Sequence, residues 1–107
     1  MSQAEEHLRF LRQRLAEHEF AIARFYYRKQ AYHAAIGRFL NLIQVYPNTP
    51  NIAEVMYLLA ESYRAEENYR KAQGVLQVLV ERFPATSYGA QARTQLRDLP
   101  HTGITLQ

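Results

Sequence analysis

Apolar residues recur three and four positions apart along most of the chain, which is the spacing that puts them on one face of an α-helix. Ala16, Phe20, Ala23, Tyr26 and Tyr27 follow this rule and predict a first helix over roughly residues 3–29. Lys29-Gln30 then forms a short turn, and a second helix runs from Ala31 to Tyr46, where Pro47 stops it. Proline lacks the N–H a continuing helix needs, so it sets a corner. The plan repeats. Helices are predicted near 52–67 and 69–83, with a turn around Glu67-Asn68 and Pro84 as the stop. A last helix begins at Thr86 or Ser87, carries Ala90, Ala92, Leu96 and Leu99, and ends before Pro100. Ser2-Gln3-Ala4-Glu5 has the spacing of a capping box for the first helix.

The two halves are related by a single offset of 37 residues. It carries Ile22 to Leu59, Ala23 to Ala60, Tyr26 to Tyr63, Tyr32 to Tyr69, Ala35 to Ala72, Phe39 to Leu76, Leu42 to Leu79 and Pro47 to Pro84. Alanines at 23 and 35, and at 60 and 72, stand where paired helices must approach closely. Tyr26, Tyr63, Tyr32 and Tyr69, with Phe39 and Leu76, are expected to fill the core between helices. Gly37 and Gly74 also lie 37 apart, which suggests close packing there, because glycine costs roughly 1 kcal/mol of helix propensity.

This order of small, aromatic and proline positions resembles the tetratricopeptide repeat. It implies an all-α helix-turn-helix solenoid: one domain over 1–99, with repeats at about 16–49 and 53–86, a long N-terminal helix, a capping helix at about 87–98, and a flexible tail at 100–107. Extra residues in Asn48-Thr49-Pro50-Asn51-Ile52 lengthen the corner between repeats. Glu19 departs from the repeat pattern, which favours a large apolar residue there, as Met56 supplies in the second unit; the groove end of the first helix is therefore expected to be wetter. Leu8, Leu11 and Leu15 extend the apolar stripe of the first helix well before the repeat begins, so something outside this sequence is expected to cover that stripe, as in a segment of a longer array; an exposed end could also pair two copies in a weak or crystal dimer.

Composition narrows the chemistry. The chain has 107 residues, 48% of them hydrophobic, enough for one core, and no cysteine, so thiol chemistry and disulfides are excluded. Net charge is +3, and Arg9, Arg12, Arg14, Arg24 and Arg28 are interleaved with Glu5, Glu6, Glu17 and Glu19 instead of massed in a basic stripe, which argues against nucleic-acid binding. No apolar run reaches the ~18 residues of a membrane span, and the N-terminus lacks the pattern of a secretory signal, so the chain is expected to be soluble with no direct membrane insertion.

No catalytic, cofactor or metal constellation is legible. His18-Glu19 lacks the second histidine of a zinc-protease helix, and His7 and His18 are about three turns apart, too far to share one ion. The expected activity is therefore binding, with no enzyme activity and no cofactor. In helix-pair solenoids the first helix of each pair lines the concave face, which here assigns Phe20, Arg24, Tyr27, Tyr57, Glu61 and Arg64 to a Tyr- and Arg-bearing groove of the kind enriched at protein interfaces. Lys and Asn, which grip a C-terminal carboxylate in some repeats of this type, are absent from these positions.

A more specific likeness runs from Leu11 to Tyr27, on through Ala31-Tyr32 and Ala35-Ile36-Gly37-Arg38, and through Tyr46-Pro47-Asn48-Thr49 and Ala53 to Leu59-Ala60-Glu61-Ser62-Tyr63. It resembles the BamD-type outer-membrane assembly lipoproteins. The resemblance implies a scaffold on the periplasmic face of the outer membrane of Gram-negative bacteria. With a barrel-forming BamA-type subunit and other lipoproteins of the complex, it would help insert β-barrel proteins. Family members carry a lipidated N-terminal cysteine and about five repeats, and the likeness here is to the C-terminal ones, where the partner's periplasmic domain docks. It further implies that Arg38 takes part in that contact. Another envelope adaptor of tetratricopeptide type, serving Tol–Pal or cell division, is the alternative.

Overall fold

Five helices follow one another in the computed structural model, which describes residues 2–100: α1 (Gln3–Arg28), α2 (Tyr32–Val45), α3 (Ile52–Ala65), α4 (Tyr69–Arg82) and α5 (Ser87–Asp98). The expectation for the tail falls on residues 101–107, outside that range. Helix α1 opens with the reciprocal cap the sequence predicts: the Glu5 N–H donates to Ser2 Oγ and the Ser2 N–H donates to Glu5 Oε1, each at 3.2 Å.

The two tight turns are copies of one another, because α1 and α3 end in the same way. After α1, the Ala31 N–H returns to the Tyr26 carbonyl at 2.9 Å and the Gln30 N–H to Tyr27 at 3.0 Å, with Gln30 left-handed at φ 62°. After α3, the Asn68 N–H returns to Tyr63 at 2.9 Å and the Glu67 N–H to Arg64 at 2.9 Å, with Glu67 at φ 63°. This is the Schellman arrangement, which satisfies the last carbonyls of a helix while reversing the chain. The wider corners begin at Tyr46-Pro47 and Phe83-Pro84, where the missing proline N–H stops α2 and α4.

Helix α1 packs on α2, α2 on α3, α3 on α4 and α4 on α5, while α3 also touches α1 and α5. Helices α2 and α4 do not meet. The stack therefore bends so that α1, α3 and α5 form its inner layer, in a molecule with extents of 56 × 29 × 20 Å. The close approach depends on the four predicted alanines, Ala23, Ala35, Ala60 and Ala72, none more than 1% exposed. Phe39, Leu42, Leu76 and Leu79 are fully enclosed, and Ser62, the one buried polar residue among those described, donates its hydroxyl to the Leu58 carbonyl at 2.8 Å. Tyr63 is buried as expected, whereas Tyr26, Tyr32 and Tyr69 are only half-buried.

The glycines correct the sequence reading. A Cβ placed at Gly37 or Gly74 would meet nothing within 4 Å, so neither marks a close contact. Gly89 does. A Cβ there would lie 2.1 Å from the Phe83 carbonyl oxygen, because α5 is pulled hard against the corner by Thr86. The Thr86 hydroxyl donates to that same oxygen at 2.8 Å and accepts from the Gly89 N–H at 3.0 Å.

The 37-residue offset continues one step further than Pro84. Helix α5 is buried through Gly89, Ala92 and Leu99, with Leu96 partly covered. The positions 37 before these are Ile52, Val55, Ser62 and Leu59 on α3. Helix α5 is thus a third first-helix, packed on α4 as α3 packs on α2.

Candidate functional site

The inner layer brings four of the predicted groove residues into one polar cluster. Tyr57, Glu61 and Arg64 follow each other at four and three residues along α3, so their side chains share a face. Arg64 Nη2 lies 2.6 Å from Glu61 Oε1. From α5, Gln95 Nε2 donates to Glu61 Oε2 at 2.6 Å and to the Tyr57 hydroxyl at 2.9 Å. The Tyr88 ring lies 5.4 Å from that of Tyr57. Tyr27 approaches from α1 and feels the charges of both Glu61 and Arg64.

These contacts set the charge states. Burial pushes the Glu61 carboxyl up, but hydrogen bonds from Gln95, Arg64 and Tyr57 and the Arg64 charge outweigh it and hold the group below its ordinary value. Burial, then the hydrogen bond to Glu61 and its charge, drive the Tyr57 hydroxyl up to about 12. Tyr27 is raised by burial and by the Glu61 charge. Arg64 is raised by its bond to Glu61, which outweighs its own desolvation. Glu61 is therefore an anion and both tyrosines are neutral hydroxyls at neutral pH, an arrangement that presents hydrogen-bond donors and ring faces rather than a proton-transfer pair.

Phe20 and Arg24 lie on α1, about two turns and one turn before Tyr27. The Arg24 guanidinium lies 5.7 Å from the Phe20 ring centre, and Phe20 and Tyr27 both lean on Phe39, at 6.4 and 6.5 Å. A cleft of about 360 Å³ continues the layer past Arg64 to Tyr69, Gln95, Asp98, Leu99 and Pro100.

Arg38 is elsewhere. It reaches from α2 to Glu19 on α1, at 3.8 Å, and lies 5.5 Å from the centre of the Tyr26 ring. Positions 19 and 26 stand about 100° round α1 from 20 and 27. Arg38 is thus not a free surface cation: its side chain is 44% exposed and bridges two helices at the rim of a shallow depression that also includes His33 and Asn41. Glu19, which looked like a misfit in the repeat pattern, is its counter-ion.

Gln95 and Tyr88 were missed by sequence reasoning, which treated α5 only as a cap. Carrying the 37-residue offset past Pro84 would have placed α5 beside α3 and exposed this contact. Among the described residues no group of three His, Cys, Asp or Glu side chains could hold a metal ion, and no helix is long and apolar enough to cross a membrane.

Stacked helix pairs with a shared turn, a bent inner layer and interface-type residues along it define a tetratricopeptide-repeat protein, and the repeat pattern of that name matches residues 54–86. The YfiO family, described as outer membrane lipoprotein, matches residues 1–67, more than half of the chain. The chain belongs to this family and is BamD-like. Its relatives include outer membrane protein assembly factor BamD of Buchnera aphidicola, 27% identical over 77 residues, which are 72% of this chain and 31% of that protein. They also include BamD of Pasteurella multocida, 37% identical over 54 residues, or 50% of this chain and 21% of that one. BamD of Haemophilus influenzae is 33% identical over 54 residues with the same coverage. The matched regions span between about a fifth and a third of the relatives' length.

Proposed function

We propose that the chain is a non-catalytic protein–protein interaction scaffold of the machinery that assembles β-barrel proteins into the outer membrane, acting at the periplasmic face through residues 1–99 as one tetratricopeptide domain. Its partners are the periplasmic domain of a BamA-type subunit and other lipoproteins of the complex. The observation that carries this reading is membership of the outer membrane lipoprotein family over residues 1–67, in a chain whose inner layer gathers Tyr27, Tyr57, Glu61 and Arg64. Two surfaces divide the work. Arg38, held out by Glu19 and Tyr26, docks the BamA-type domain. Phe20, Arg24, Tyr27, Tyr57, Glu61 and Arg64 supply a second, tyrosine-rich contact for protein partners, where ring faces give area at small entropic cost.

Isothermal calorimetry of the chain against a purified periplasmic domain of a BamA-type subunit tests this. Arg38→Glu is expected to weaken binding by at least about tenfold, the scale of losing one charged interface contact, with no fall in helicity by circular dichroism. Binding that is absent in the unaltered chain, or untouched by Arg38→Glu, refutes the docking role.

A further inference from the structure

Gly37 stands on the outer side of α2, where a Cβ would meet no atom within 4 Å. Glycine inside a helix costs propensity, and no close contact within the described chain offsets that cost here. What the missing side chain creates is a notch. His33, Gly37 and Asn41 follow one another at four-residue steps and form one ridge of α2, with the gap at its middle. The notch is the floor of a depression of about 530 Å³, rimmed by Arg38 and, across on α1, by Glu19 and Tyr26. Its openness belongs to the stack and not to the ends of the chain. Gly74, 37 residues on, is equally open although α2 precedes it, and α2 and α4 do not touch. A helix pair stacked ahead of α1 would leave Gly37 open in the same way.

We propose that this notch seats a main-chain segment of the BamA-type periplasmic domain, laid across Gly37 with its carbonyl groups toward the α2 ridge; the inference rests on the docking role given to Arg38 above. Shape favours a backbone. Another chain's backbone reaches van der Waals distance of a helix only where a side chain is missing, and Gly37 is the place on this ridge without one. Chemistry favours carbonyl groups. The rim is rich in donors: the Arg38 guanidinium turns only Nη1 to Glu19, at 3.8 Å, while the exposed Asn41 amide and His33 ring carry further N–H groups. Because Glu19 already balances the Arg38 charge, neutral acceptors suit the site, and the backbone carbonyl is such a group. Gly74 has the notch without this setting, since Met56, Val75 and Val78 stand where Glu19, Arg38 and Asn41 stand in the first repeat.

Calorimetry of the chain against the purified periplasmic domain of a BamA-type subunit tests this, with thermal unfolding of each variant alongside. Gly37→Ala is expected to raise the melting temperature and yet weaken binding about threefold, because even one methyl group holds the backbone off. Gly37→Leu is expected to weaken binding at least about tenfold with helicity intact, as the site is open in the single chain. Gly74→Leu adds the same bulk to α4 and should leave affinity unchanged. Failure of the unaltered chain to bind overturns this inference together with the docking role of Arg38. Binding that is lost in Arg38→Glu but untouched by Gly37→Ala and Gly37→Leu overturns this inference alone. A loss in Gly74→Leu as large as that in Gly37→Leu overturns it equally.

Discussion

Gly89→Ala separates what helix propensity expects from what this packing allows. Propensity alone favours the change, because alanine in a helix is about 1 kcal/mol better than glycine. The geometry opposes it. The new Cβ would stand 2.1 Å from the Phe83 oxygen and 3.1 Å from Pro84 Cα, whereas ordinary contact begins at 3.4 Å, and both neighbours are backbone. Relief requires α5 to retreat from the corner by more than 1 Å. That withdraws Ala92 and Leu99 from α4 and lengthens the bond from the Gly89 N–H to Thr86 Oγ1. Overpacking of this kind costs about 1–3 kcal/mol and a lost cap about 1 kcal/mol, so after the propensity gain the net loss is about 2 kcal/mol. In a domain of this size that corresponds to a melting temperature lower by roughly 10 °C. Gly37→Ala and Gly74→Ala are the controls: open space surrounds both, so each is expected to stabilise by about 0.5–1 kcal/mol. Thermal and urea unfolding followed by circular dichroism measures all three, with amide exchange in α5 reporting loosening confined to that helix. Gly89→Ala as stable as the parent, or Gly74→Ala less stable, would refute the reasoning.

Other outcomes follow from the same contacts. Phe39→Ala empties a fully enclosed site against Phe20 and Tyr27 and is expected to cost about 3–5 kcal/mol in urea unfolding. Because the Glu61 pKa is lowered on folding, its contribution to stability is present above the ordinary carboxylate range and is lost as pH falls through the lowered value; Glu61→Gln should flatten that acid limb of the stability profile. Tyr57 is raised to about 12, so its contribution holds below the ordinary tyrosine pKa near 10 and is lost as pH rises through 12; Tyr57→Phe should remove that alkaline limb, read by tyrosinate absorbance and circular dichroism. Glu67→Gly relieves a left-handed residue that carries a side chain, and a gain of about 0.5 kcal/mol in unfolding free energy is expected after the entropy of glycine is set against it.

The architecture was legible because its determinants are local or periodic. Pro47 and Pro84 stop helices wherever they fall, and alanines that return after 37 residues leave little choice of which helices meet. The side-chain contacts were less legible. Glu19 breaks the repeat pattern when read along α1, and only the pairing with α2 supplies Arg38 as the reason for a charge there. Gly37 and Gly74 share the repeat offset, yet a common position does not say whether a neighbour stands over it. Gly89 has no such partner in the pattern and is the one the fold requires. Gln95 lies 34 residues beyond Glu61, at no repeat multiple, so its hydrogen bond could be found only by asking where α5 lies relative to α3.

The polar cluster also limits how a partner can use the inner layer. The Glu61 carboxylate is 13% exposed and already receives Arg64 on one oxygen and Gln95 on the other, with the Tyr57 hydroxyl also bonded to it. An incoming cation would have to displace bonds made by groups fixed in place, and would recover little for doing so. Arg64 is different: 47% of its side chain remains in solvent, and a guanidinium with one edge on Glu61 still has donors to offer. Attraction across this surface therefore favours acceptor groups and apolar side chains set against Tyr27, Phe20 and Arg64, over basic ones. Gln95→Ala sharpens the point, because it frees one Glu61 oxygen and one face of the Tyr57 hydroxyl without touching Arg64. A peptide partner bearing a basic residue should gain affinity for the Gln95→Ala chain relative to the parent, and an acidic one should lose it; equal responses in calorimetry would show that the cluster does not set the sign of recognition.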